Sequence, residues 1–554
     1  MTDQLKIALA QLNPTVGDIA GNMAKARAAR ADAAAEGADL IMFPELFLIG
    51  YPPEDLVLKP SFQLAVDEAL TELARDTADG GPGYLIGAPS REETGLHNSM
   101  VLIDGGEIVG KRHKVHLPNY GVFDEPRVFT AGSMPGPLPF RGVRLGVPVC
   151  EDIWFEDVTE CLEETGAEML LVPNGSPFDT EKHDARMQHC VARINETGLP
   201  LVYLNQIGGQ DELVFDGASF VLNADLSLAL HMPAWKENVL VTTWSRQGTG
   251  WVCAAEASAQ IPDGDEAIYN ACVLGLRDYV TKNRFPGVVL GLSGGVDSAI
   301  CAAMAVDALG ADKVHCVMLP YKYTADESVS DAEQCAAALG VRYDSVPIEG
   351  PVKGFLEALD PMFADTQSDT TEENLQSRTR GTILMALSNK FGSMVVTTGN
   401  KSEVSVGYAT LYGDMNGGYN ALKDIYKTEV YALANWRNEQ PNSIGLGPAG
   451  RVIPERIITK APSAELKPDQ TDQDSLPDYA VLDAILAGLV ESDTAPDRLV
   501  EQGFDADLVA KIENMLYRTE YKRRQAPPGV KIGAKNFGRD RRYPITNKFR
   551  ASRK

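Results

Sequence analysis

Short apolar runs, separated by polar and helical stretches, organise the first half of the chain. The runs predict strands at residues 7–10, 40–43, 85–87, 100–103, 145–149, 169–172 and 201–204. Stretches at 23–35 and 62–75 predict helices between several of these strands, and Gly105-Gly106 predicts a hairpin turn. The pattern indicates a layered α/β domain over residues 1–250.

The periodicity fades into Gly, Ser, Pro and Asp between 245 and 264, which predicts a linker at 251–264. From 265 to 554 the pattern alternates between strand and helix. It predicts strands at 288–290, 314–319 and 395–398 and helices at 299–309, 328–339 and 375–391. Such alternation is typical of a doubly wound, Rossmann-like parallel sheet, whose ligands lie at the carboxyl ends of the strands.

Composition narrows the class of protein. The chain has 554 residues, 44% hydrophobic and 23% charged, which is typical of a globular protein with more than one domain. Neither a secretory signal nor an apolar run of membrane-spanning length is present, so we expect a cytoplasmic protein without membrane contact. The eight cysteines form no Cys-x-x-Cys pair and predict no zinc ribbon or disulfide framework.

Charge is unevenly distributed. A net charge of −26 disfavours nucleic acid as a partner of the whole protein. The tail at 521–554 nevertheless carries twelve Lys or Arg against the single acid Asp540. It is either a solvated tail or a segment that contacts phosphates or an acidic neighbouring subunit, and we favour the second interpretation.

The most informative segment follows the strand at 288–290. Two adjacent glycines, two hydroxyls and a helix start suit an anionic ligand, because backbone N–H groups and the helix dipole point at it. The expected phosphate-binding residues are Gly291, Leu292, Ser293, Gly294, Gly295, Val296, Asp297 and Ser298.

This loop lacks the Gly-Lys-Ser/Thr ending of a Walker A motif, so γ-phosphate transfer is disfavoured. It resembles the pyrophosphate loop of enzymes that split ATP between its α and β phosphates and adenylylate a substrate. In that interpretation Asp297 holds a magnesium ion that bridges phosphate oxygens. The alternative is a tight turn without a ligand.

A second glycine motif is a decoy. The segment 445–450 matches Gly-x-Gly-x-x-Gly, but polar residues precede it where a strand is required. Pro448 also lies where the helix should begin. We interpret the segment as a flexible loop.

Three apolar runs in the first half end in reactive side chains. Glu45 follows 40–43, Lys114 lies in the basic segment 111–118, and Cys150 follows 145–149. Together they suit amide cleavage, in which Glu45 accepts the thiol proton, Cys150 attacks the carbonyl and Lys114 supports the negative oxygen. Singly, each has an ordinary explanation as a core thiol, a surface acid or a solvated charge.

These three motifs, in this order, resemble the nitrilase family of carbon–nitrogen hydrolases over about residues 5–244. The resemblance implies an α-β-β-α sandwich with a Glu-Lys-Cys triad at strand ends, and it makes Glu125 a candidate for an additional acid. It also implies glutamine contacts for Tyr120, Ser176 and Lys182.

The second half resembles the NAD synthetases. The resemblance is carried by the segments 291–298, 397–403, 423–428, 461–466 and 472–477. It implies that Thr398, Lys427 and Ser463 contact ATP. It further implies that Asn374, Glu403 and Lys522 bind the dinucleotide, with Glu403 also near magnesium. Asn374 could instead cap the 375–391 helix, and Lys427 could pair with Glu429 or with solvent.

An ammonia-releasing unit beside a carboxylate-adenylylating unit makes sense as an amidotransferase, and the whole chain resembles the bacterial glutamine-dependent NAD synthetases. The family implies glutamine, ATP and nicotinic acid adenine dinucleotide as substrates, Mg²⁺, a homo-oligomer, and a dry passage for ammonia.

Other amidotransferases fit less well. GMP synthetases place their cysteine on a glycine-flanked elbow, and asparagine synthetases need a cysteine where Thr2 stands. Transfer-RNA sulfur-inserting enzymes do not explain the nitrilase-like half. A catalytically silent nucleotide sensor would lose reactive groups that are present here.

Overall fold

The computed structural model describes residues 3–248, 250–440, 444–468 and 470–551. The chain divides into two compact units, unit 1 up to Pro262 and unit 2 from Asp263 onward. In the described part of the chain, no helix has the length and apolar character required to cross a membrane.

Unit 1 is built from two sheets. Its strands are β1 (Gln4–Gln11), β2 (Leu40–Met42), β3 (Gly83–Glu92), β4 (Gly95–Asp104), β5 (Glu107–His113), β6 (Leu138–Phe140), β7 (Val143–Gly146), β8 (Met169–Asn174), β9 (Leu201–Asn205), β10 (Ile207–Gln210), β11 (Leu213–Asp216), β12 (Phe220–Leu222), β13 (Leu228–His231), β14 (Asn238–Gln247) and β15 (Gly250–Cys253). Among the described residues, one sheet has the order β15-β14-β1-β2-β3-β4-β5 and the other β13-β12-β9-β8-β7-β6, with β10 and β11 as a separate hairpin.

Four helices cover the outer faces of these sheets: α1 (Ile19–Ala35), α2 (Pro60–Asp76), α3 (Glu156–Glu164) and α4 (Lys182–Thr197). Alternation along the strands explains the layers. In β1, Ile7 and Leu9 face the core between the two sheets, whereas Ala8 and Ala10 face the core shared with α1 and α2. A strand buried on both faces must be apolar throughout, which is why it appears as a continuous apolar run.

Unit 2 contains a five-stranded parallel sheet with the order β18-β17-β16-β19-β20 among the described residues. Its strands are β16 (Val288–Gly291), β17 (Val314–Met318), β18 (Arg342–Ser345), β19 (Met394–Thr397) and β20 (Tyr419–Asn420). The chain runs outward from β16 to β18 and then returns to the other side of β16 with β19. The carboxyl ends of β16 and β19 therefore flank the switch point where ligands bind in such sheets.

The helices of unit 2 are α5 (Gly264–Lys282), α6 (Val296–Leu309), α7 (Asp326–Leu339), α8 (Glu349–Phe363), α9 (Thr370–Phe391), α10 (Lys401–Val406), α11 (Lys427–Glu439), α12 (Glu455–Thr459), α13 (Tyr479–Val490), α14 (Pro496–Glu501), α15 (Ala506–Arg518) and α16 (Glu520–Arg523). The expected α-β-β-α sandwich and the doubly wound parallel sheet are both confirmed.

Two segments differ from the sequence-based interpretation. The predicted linker at 251–264 begins as β15, because its first residues pair antiparallel with the end of β14. The basic tail is packed within unit 2, where Arg541 pairs with Glu520 at 2.9 Å and Lys535 pairs with Asp493. Acidic groups of its own unit therefore pair with these two basic side chains, whereas contact of the tail with a neighbouring subunit stays a prediction. The last three residues of the tail lie outside the described part of the chain.

Gly294 has a conformation that other residues rarely adopt. Its φ is +78°, and a Cβ placed on it would lie 2.2 Å from the carbonyl oxygen of Ser328. Gly295 is different, because its φ is −92° and a Cβ there would meet only the Ser293 hydroxyl at 3.4 Å.

We expect Gly294→Ala to lower the free energy of unfolding of unit 2 by about 2 kcal/mol or more, since both strain and the clash must be relieved. The matched variant Gly295→Ala should change it by no more than about 0.5 kcal/mol. Denaturant unfolding of both variants measures the difference, and equal effects would contradict this account of the loop.

Candidate active sites

Cys150 lies at a sharp turn after β7. Its φ of +48° is left-handed, which is rare for a residue with a side chain, and a short helical turn at Cys150–Trp154 follows directly. The thiol is 8% exposed. Such strained turns at strand ends are typical of functional sites, where they direct a side chain into a pocket.

Glu45 and Lys114 lie at the ends of β2 and β5, and both are completely buried. The Lys114 ammonium donates to Glu45 Oε1 at 2.7 Å and to Glu125 Oε1 at 2.8 Å. Gly87 permits this geometry, because a Cβ on it would lie 2.1 Å from the backbone nitrogen of Leu46. The turn that carries Glu45 therefore packs directly against β3.

The charges of Glu45 and Lys114 both act on Cys150. Burial raises the pKa of the Cys150 thiol well above its ordinary value, Glu45 raises it further, and Lys114 lowers it. A thiol of this kind stays protonated until a base removes its proton in the reaction. The three predicted triad residues are therefore buried in unit 1 near enough to one another for their charges to interact.

Groups that the sequence analysis did not assign hold the carboxylates of Glu45 and Glu125. Asn98 donates to Glu45 Oε1 at 2.7 Å, the Gly175 N–H donates to Glu45 Oε2 at 2.9 Å, and Tyr51 donates to Glu125 Oε1 at 2.8 Å. Burial raises the pKa of Glu125 to about 7, with Lys114 opposing the shift and Glu45 adding to it. No local motif marks Asn98 or Tyr51, because the partner of each, Glu45 for Asn98 and Glu125 for Tyr51, lies far away in the chain.

Asp152 connects two of the segments that carry the predicted triad. Its carboxylate accepts N–H bonds from Val115 at 3.0 Å and His116 at 2.8 Å, next to Lys114, and from Val149 at 2.9 Å, next to Cys150. The side chain is 1% exposed, and burial raises its pKa to about 6. The sequence analysis did not assign Asp152 a role. Its position two residues after the predicted nucleophile Cys150 was the sequence feature that could have identified it.

The three residues predicted to contact glutamine have different surroundings. Tyr120 is 48% exposed, and its hydroxyl donates to the Glu151 carboxylate at 3.0 Å. The Lys182 ammonium lies 4.6 Å from the centre of the Trp154 ring, and burial lowers the pKa of Lys182. Burial raises the pKa of Glu151, the neighbour of Cys150, whereas Tyr120 and Lys182 both lower it and so oppose the effect of burial.

Ser176 is held differently. It is buried, and its hydroxyl accepts from Arg186 Nε at 3.1 Å. Arg186 is itself paired with Asp216 at 2.9 Å. The side chain of Ser176 therefore belongs to a buried network of polar groups.

In unit 2 the glycine-rich loop joins β16 to α6. The hydroxyls of Ser293 and Ser298 are 3.1 Å apart, and the Ser298 hydroxyl accepts from the Ser293 N–H at 3.2 Å. Gly295 precedes α6, whose first N–H groups need acceptors from outside the helix. This geometry is suitable for a phosphate group.

Lys427 joins this loop to α10. Its ammonium donates to Asp297 Oδ2 and, at 3.2 Å, to Glu403 Oε1. Asn400, the N-cap of α10, donates to Asp297 Oδ1 at 2.8 Å and accepts from the Glu403 N–H at 3.0 Å. Of the two partners considered for Lys427, neither Glu429 nor solvent takes that place, because Glu429 accepts from the Tyr426 N–H and Lys427 is 2% exposed.

Burial and the ion pair between them have opposite effects on the pKa values of Glu403 and Lys427. Burial raises the pKa of Glu403 to about 7, with Lys427 opposing the shift and Asp297 and Asp472 adding to it. Burial lowers the pKa of Lys427, but Asp297 and Glu403 outweigh that effect and raise it overall. The ammonium therefore remains charged between two carboxylates.

The other predicted ligands of unit 2 lie around this cluster. Thr398 is partly exposed at the end of β19. Asn374 lies within α9, whose N-cap is Asp369, so it is not a cap, and its side-chain oxygen accepts from Thr410 at 2.8 Å. Lys522 donates to the carbonyls of Gly407 at 2.8 Å and Ala409 at 2.7 Å.

Ser463 is exposed, and its hydroxyl bonds within its own loop, donating to the Gln470 carbonyl at 2.6 Å. The same loop reaches the glycine-rich segment through Glu465, which accepts from the Ser328 hydroxyl at 2.5 Å. Ser328 is the residue whose carbonyl faces Gly294.

A pocket beside the cluster was not predicted. Among its lining residues are Thr397, Glu403, Ala409, Asp414 and Pro527. In the described part of the chain, the buried Thr397 hydroxyl has no hydrogen-bond partner. A polar atom of this kind in a pocket wall is available to a ligand.

The decoy motif at 445–450 has a structural role. Leu446 donates its N–H to the Asp307 carbonyl at 2.9 Å, and Arg437 donates to the Pro448 carbonyl at 2.8 Å and to the buried Asp307 carboxylate. Gly447 allows the loop to pack closely on this ion pair, because a Cβ on it would lie 2.2 Å from the Asp307 carboxylate.

Comparison with known proteins agrees with this two-site architecture. The carbon-nitrogen hydrolase family model matches residues 6–251, and the NAD synthase model matches residues 268–526. A glutamine-dependent NAD(+) synthetase of Rhodobacter capsulatus is 53% identical over 551 residues, which cover 99% of this chain and 100% of the relative. That of Acinetobacter baylyi is 44% identical, covering 98% and 99% of the two chains.

Among solved structures, a glutamine-dependent NAD+ synthetase from Acinetobacter baumannii in complex with adenosine diphosphate is 42% identical and covers 99% of both chains, with a TM-score of 0.78. Similarity over the full length, to both family models and to relatives of the same architecture, confirms the family expected from the sequence. The chain belongs to the glutamine-dependent NAD(+) synthetases.

Proposed function

We propose that Cys150, Glu45 and Lys114 release ammonia from glutamine in unit 1, and that the cluster around Lys427 in unit 2 uses ATP and this ammonia to convert nicotinic acid adenine dinucleotide to NAD. The observation that supports the proposal best is the pairing of Lys427 with both Asp297 and Glu403 beside the glycine-rich loop. It brings charged groups of three chain segments to the switch point of the sheet.

In unit 1, Glu45 takes the thiol proton as Cys150 Sγ forms a bond with the amide carbon of glutamine. The same proton then leaves with the nitrogen, so that the C–N bond breaks and a thioester remains. Water, deprotonated by Glu45, hydrolyses the thioester to glutamate. Lys114 stabilises the oxyanion in both steps, since its ammonium is buried among these groups and stays charged.

Recognition of glutamine is assigned to Tyr120, Ser176 and Lys182. Support comes from Tyr120 and Lys182 acting on Glu151, the neighbour of Cys150. Support for Ser176 comes from its neighbour Gly175, whose N–H donates to Glu45. Glu125 helps to fix Lys114 and is therefore included as an additional acid of this site.

In unit 2, a carboxylate oxygen of the nicotinate attacks the α-phosphorus of ATP, and the bond to pyrophosphate breaks. Ammonia then attacks the carbonyl carbon of the adenylate, and AMP leaves. We assign pyrophosphate to the loop at 291–298, with Lys427 and Ser463 near the phosphates and Thr398 at the nucleotide. Asn374, Glu403 and Lys522 bind the acid dinucleotide next to the pocket that contains Thr397.

A magnesium ion fits this donor set, because oxygen ligands from one or two carboxylates together with phosphates are what it prefers. Asp297 and Glu403 would hold it, and it would offset the charge of the phosphates. In the described part of the chain, His, Cys, Asp and Glu side chains form no metal-binding group of three or more. Phosphates and water would therefore complete the coordination.

A cytoplasmic location, a homo-oligomeric state and a dry ammonia passage stay predictions from the sequence.

We expect Cys150→Ala to abolish NAD formation from glutamine, because the thioester cannot form. Synthesis with added ammonium should remain close to that of the unchanged protein. Mass spectrometry of the NAD made from nitrogen-15 glutamine or nitrogen-15 ammonium measures both. Cys161→Ala, which changes a partly exposed thiol of the same unit, is the control. An equal loss of NAD synthesis with both nitrogen sources would contradict the assignment of ammonia release to unit 1 and of NAD synthesis to unit 2.

Glu403→Gln should reduce ammonia-driven synthesis by about 100-fold, since a charge beside the reacting phosphate is lost. Glutamine hydrolysis at Cys150 should persist. The matched control is Glu439→Gln, which changes an exposed acid at the carboxyl end of α11. Calorimetry of ADP binding with and without Mg²⁺ adds a direct readout: the gain in affinity from the ion should shrink in Glu403→Gln. If Glu403→Gln keeps both the normal rate of synthesis and the normal gain in ADP affinity from Mg²⁺, the role assigned to Glu403 is ruled out.

A further inference from the structure

Lys401 is a buried lysine that the reaction does not use. It is the first residue of α10, between Asn400 and the segment that carries Glu403, and its side chain is 1% exposed. A long charged side chain is almost never buried so completely unless it is paired. Its partners therefore indicate what it does.

The Lys401 ammonium forms ion pairs with Asp424, at 2.7 Å, and with Glu491. It also donates to the backbone carbonyl of Lys535 at 2.8 Å. These partners come from the loop before α11, the end of α13 and the segment near the carboxyl terminus. One ammonium thus gathers three distant parts of unit 2.

Both carboxylates also hold the backbone of the carboxyl-terminal segment. Asp424 Oδ2 accepts from the N–H groups of Ile532 at 2.7 Å and Gly533 at 2.8 Å. Glu491 Oε2 accepts from the Lys535 N–H at 2.6 Å. Through Lys401, the segment 532–535 is joined to the start of α10.

The same part of the chain holds the other end of this helix. Arg523 donates to the carbonyl of Ser405 at 2.6 Å, and Lys522 donates to that of Gly407 at 2.8 Å. Cations are favourable at a helix carboxyl terminus, where carbonyls lack partners. Residues 522–535 therefore contact α10 at both of its ends.

The opposite face of α10 forms the synthetase site. Residues 401 and 403 are roughly 200° apart around a helix, so Lys401 and Glu403 project to opposite sides. A helix as short as Lys401–Val406 has little stability of its own. Its position must come from what packs around it.

We propose that Lys401, with Asp424, Glu491 and the backbone at 532–535, is the positioning residue of α10. It sets where Asn400 and Glu403 meet Asp297 and Lys427, and it makes the carboxyl-terminal segment a structural part of the synthetase site. The inference rests on the roles proposed above for Asp297 and Glu403.

Removal of the ammonium takes the shared counter-charge from the buried Asp424 and the partly buried Glu491, which is strongly unfavourable. We therefore expect Lys401→Met in the full chain to loosen α10. Amide hydrogen exchange at 401–406 should become faster by about tenfold or more, and ammonia-driven synthesis should fall by about 10- to 100-fold, the usual effect of losing a supporting side chain. Lys401→Arg should restore most of both properties.

Two further variants guard against general unfolding. Glu491→Gln keeps the shape and removes one charge, so it should shift exchange and synthesis in the same direction to a smaller extent. Arg437→Met breaks another buried ion pair of unit 2, that with Asp307, and should leave exchange at 401–406 and synthesis nearly unchanged. Glutamine hydrolysis reports that unit 1 remains folded.

The proposal is overturned if Lys401→Met synthesises NAD normally, or if it loses synthesis without faster exchange in α10. A normal Lys401→Met beside an inactive Glu403→Gln would reject only the positioning role. A fully active Glu403→Gln would reject the proposed function of the cluster itself. Fast exchange and weak synthesis together, reversed in Lys401→Arg, support the proposal.

Discussion

A buried ammonium between two carboxylates is the interaction on which both reactive sites depend. Lys114 lies between Glu45 and Glu125 in unit 1, and Lys427 lies between Asp297 and Glu403 in unit 2. Each set of three contains two acidic groups for one ammonium, so that negative charge is in excess at a largely buried site. Such an arrangement is stable only when all three partners are held accurately, because a charge that loses its counter-ion in a low-dielectric interior is very costly.

The excess charge has a chemical consequence. In each trio the pKa of one carboxyl group is raised towards neutral pH. It is about 7 for Glu125 and for Glu403. The lysine in each trio remains charged, since its two partners outweigh the effect of burial. The same arrangement thus supplies a permanent cation and an acid that changes charge near neutral pH. In unit 1 this arrangement acts on the Cys150 thiol, whereas in unit 2 it lies beside the glycine-rich loop.

Topology supplies the accuracy that these groups need. In unit 1 the reactive residues follow β2, β5 and β7, which belong to two sheets packed face to face. In unit 2 the glycine-rich loop and α10 follow β16 and β19, neighbours on the two sides of the switch point. Strand ends are rigid, and turns such as that at Cys150 direct short side chains into a shared space. The long side chains of Lys114 and Lys427 then form ion pairs with the carboxylates that lie near these strand ends.

The sequence alone determined the architecture and identified the candidate reactive residues. Apolar runs buried on both faces identify strands, and a reactive side chain after such a run, as at Glu45, Cys150 and Asp297, can be recognised locally. Only the tertiary structure decided the partners: Asn98 and Tyr51 beside the triad, Asp424 around Lys401, and the pairing of the basic tail within its own unit. Those contacts join residues far apart in the chain, and hydrogen bonds and ion pairs depend on distances that periodicity does not encode.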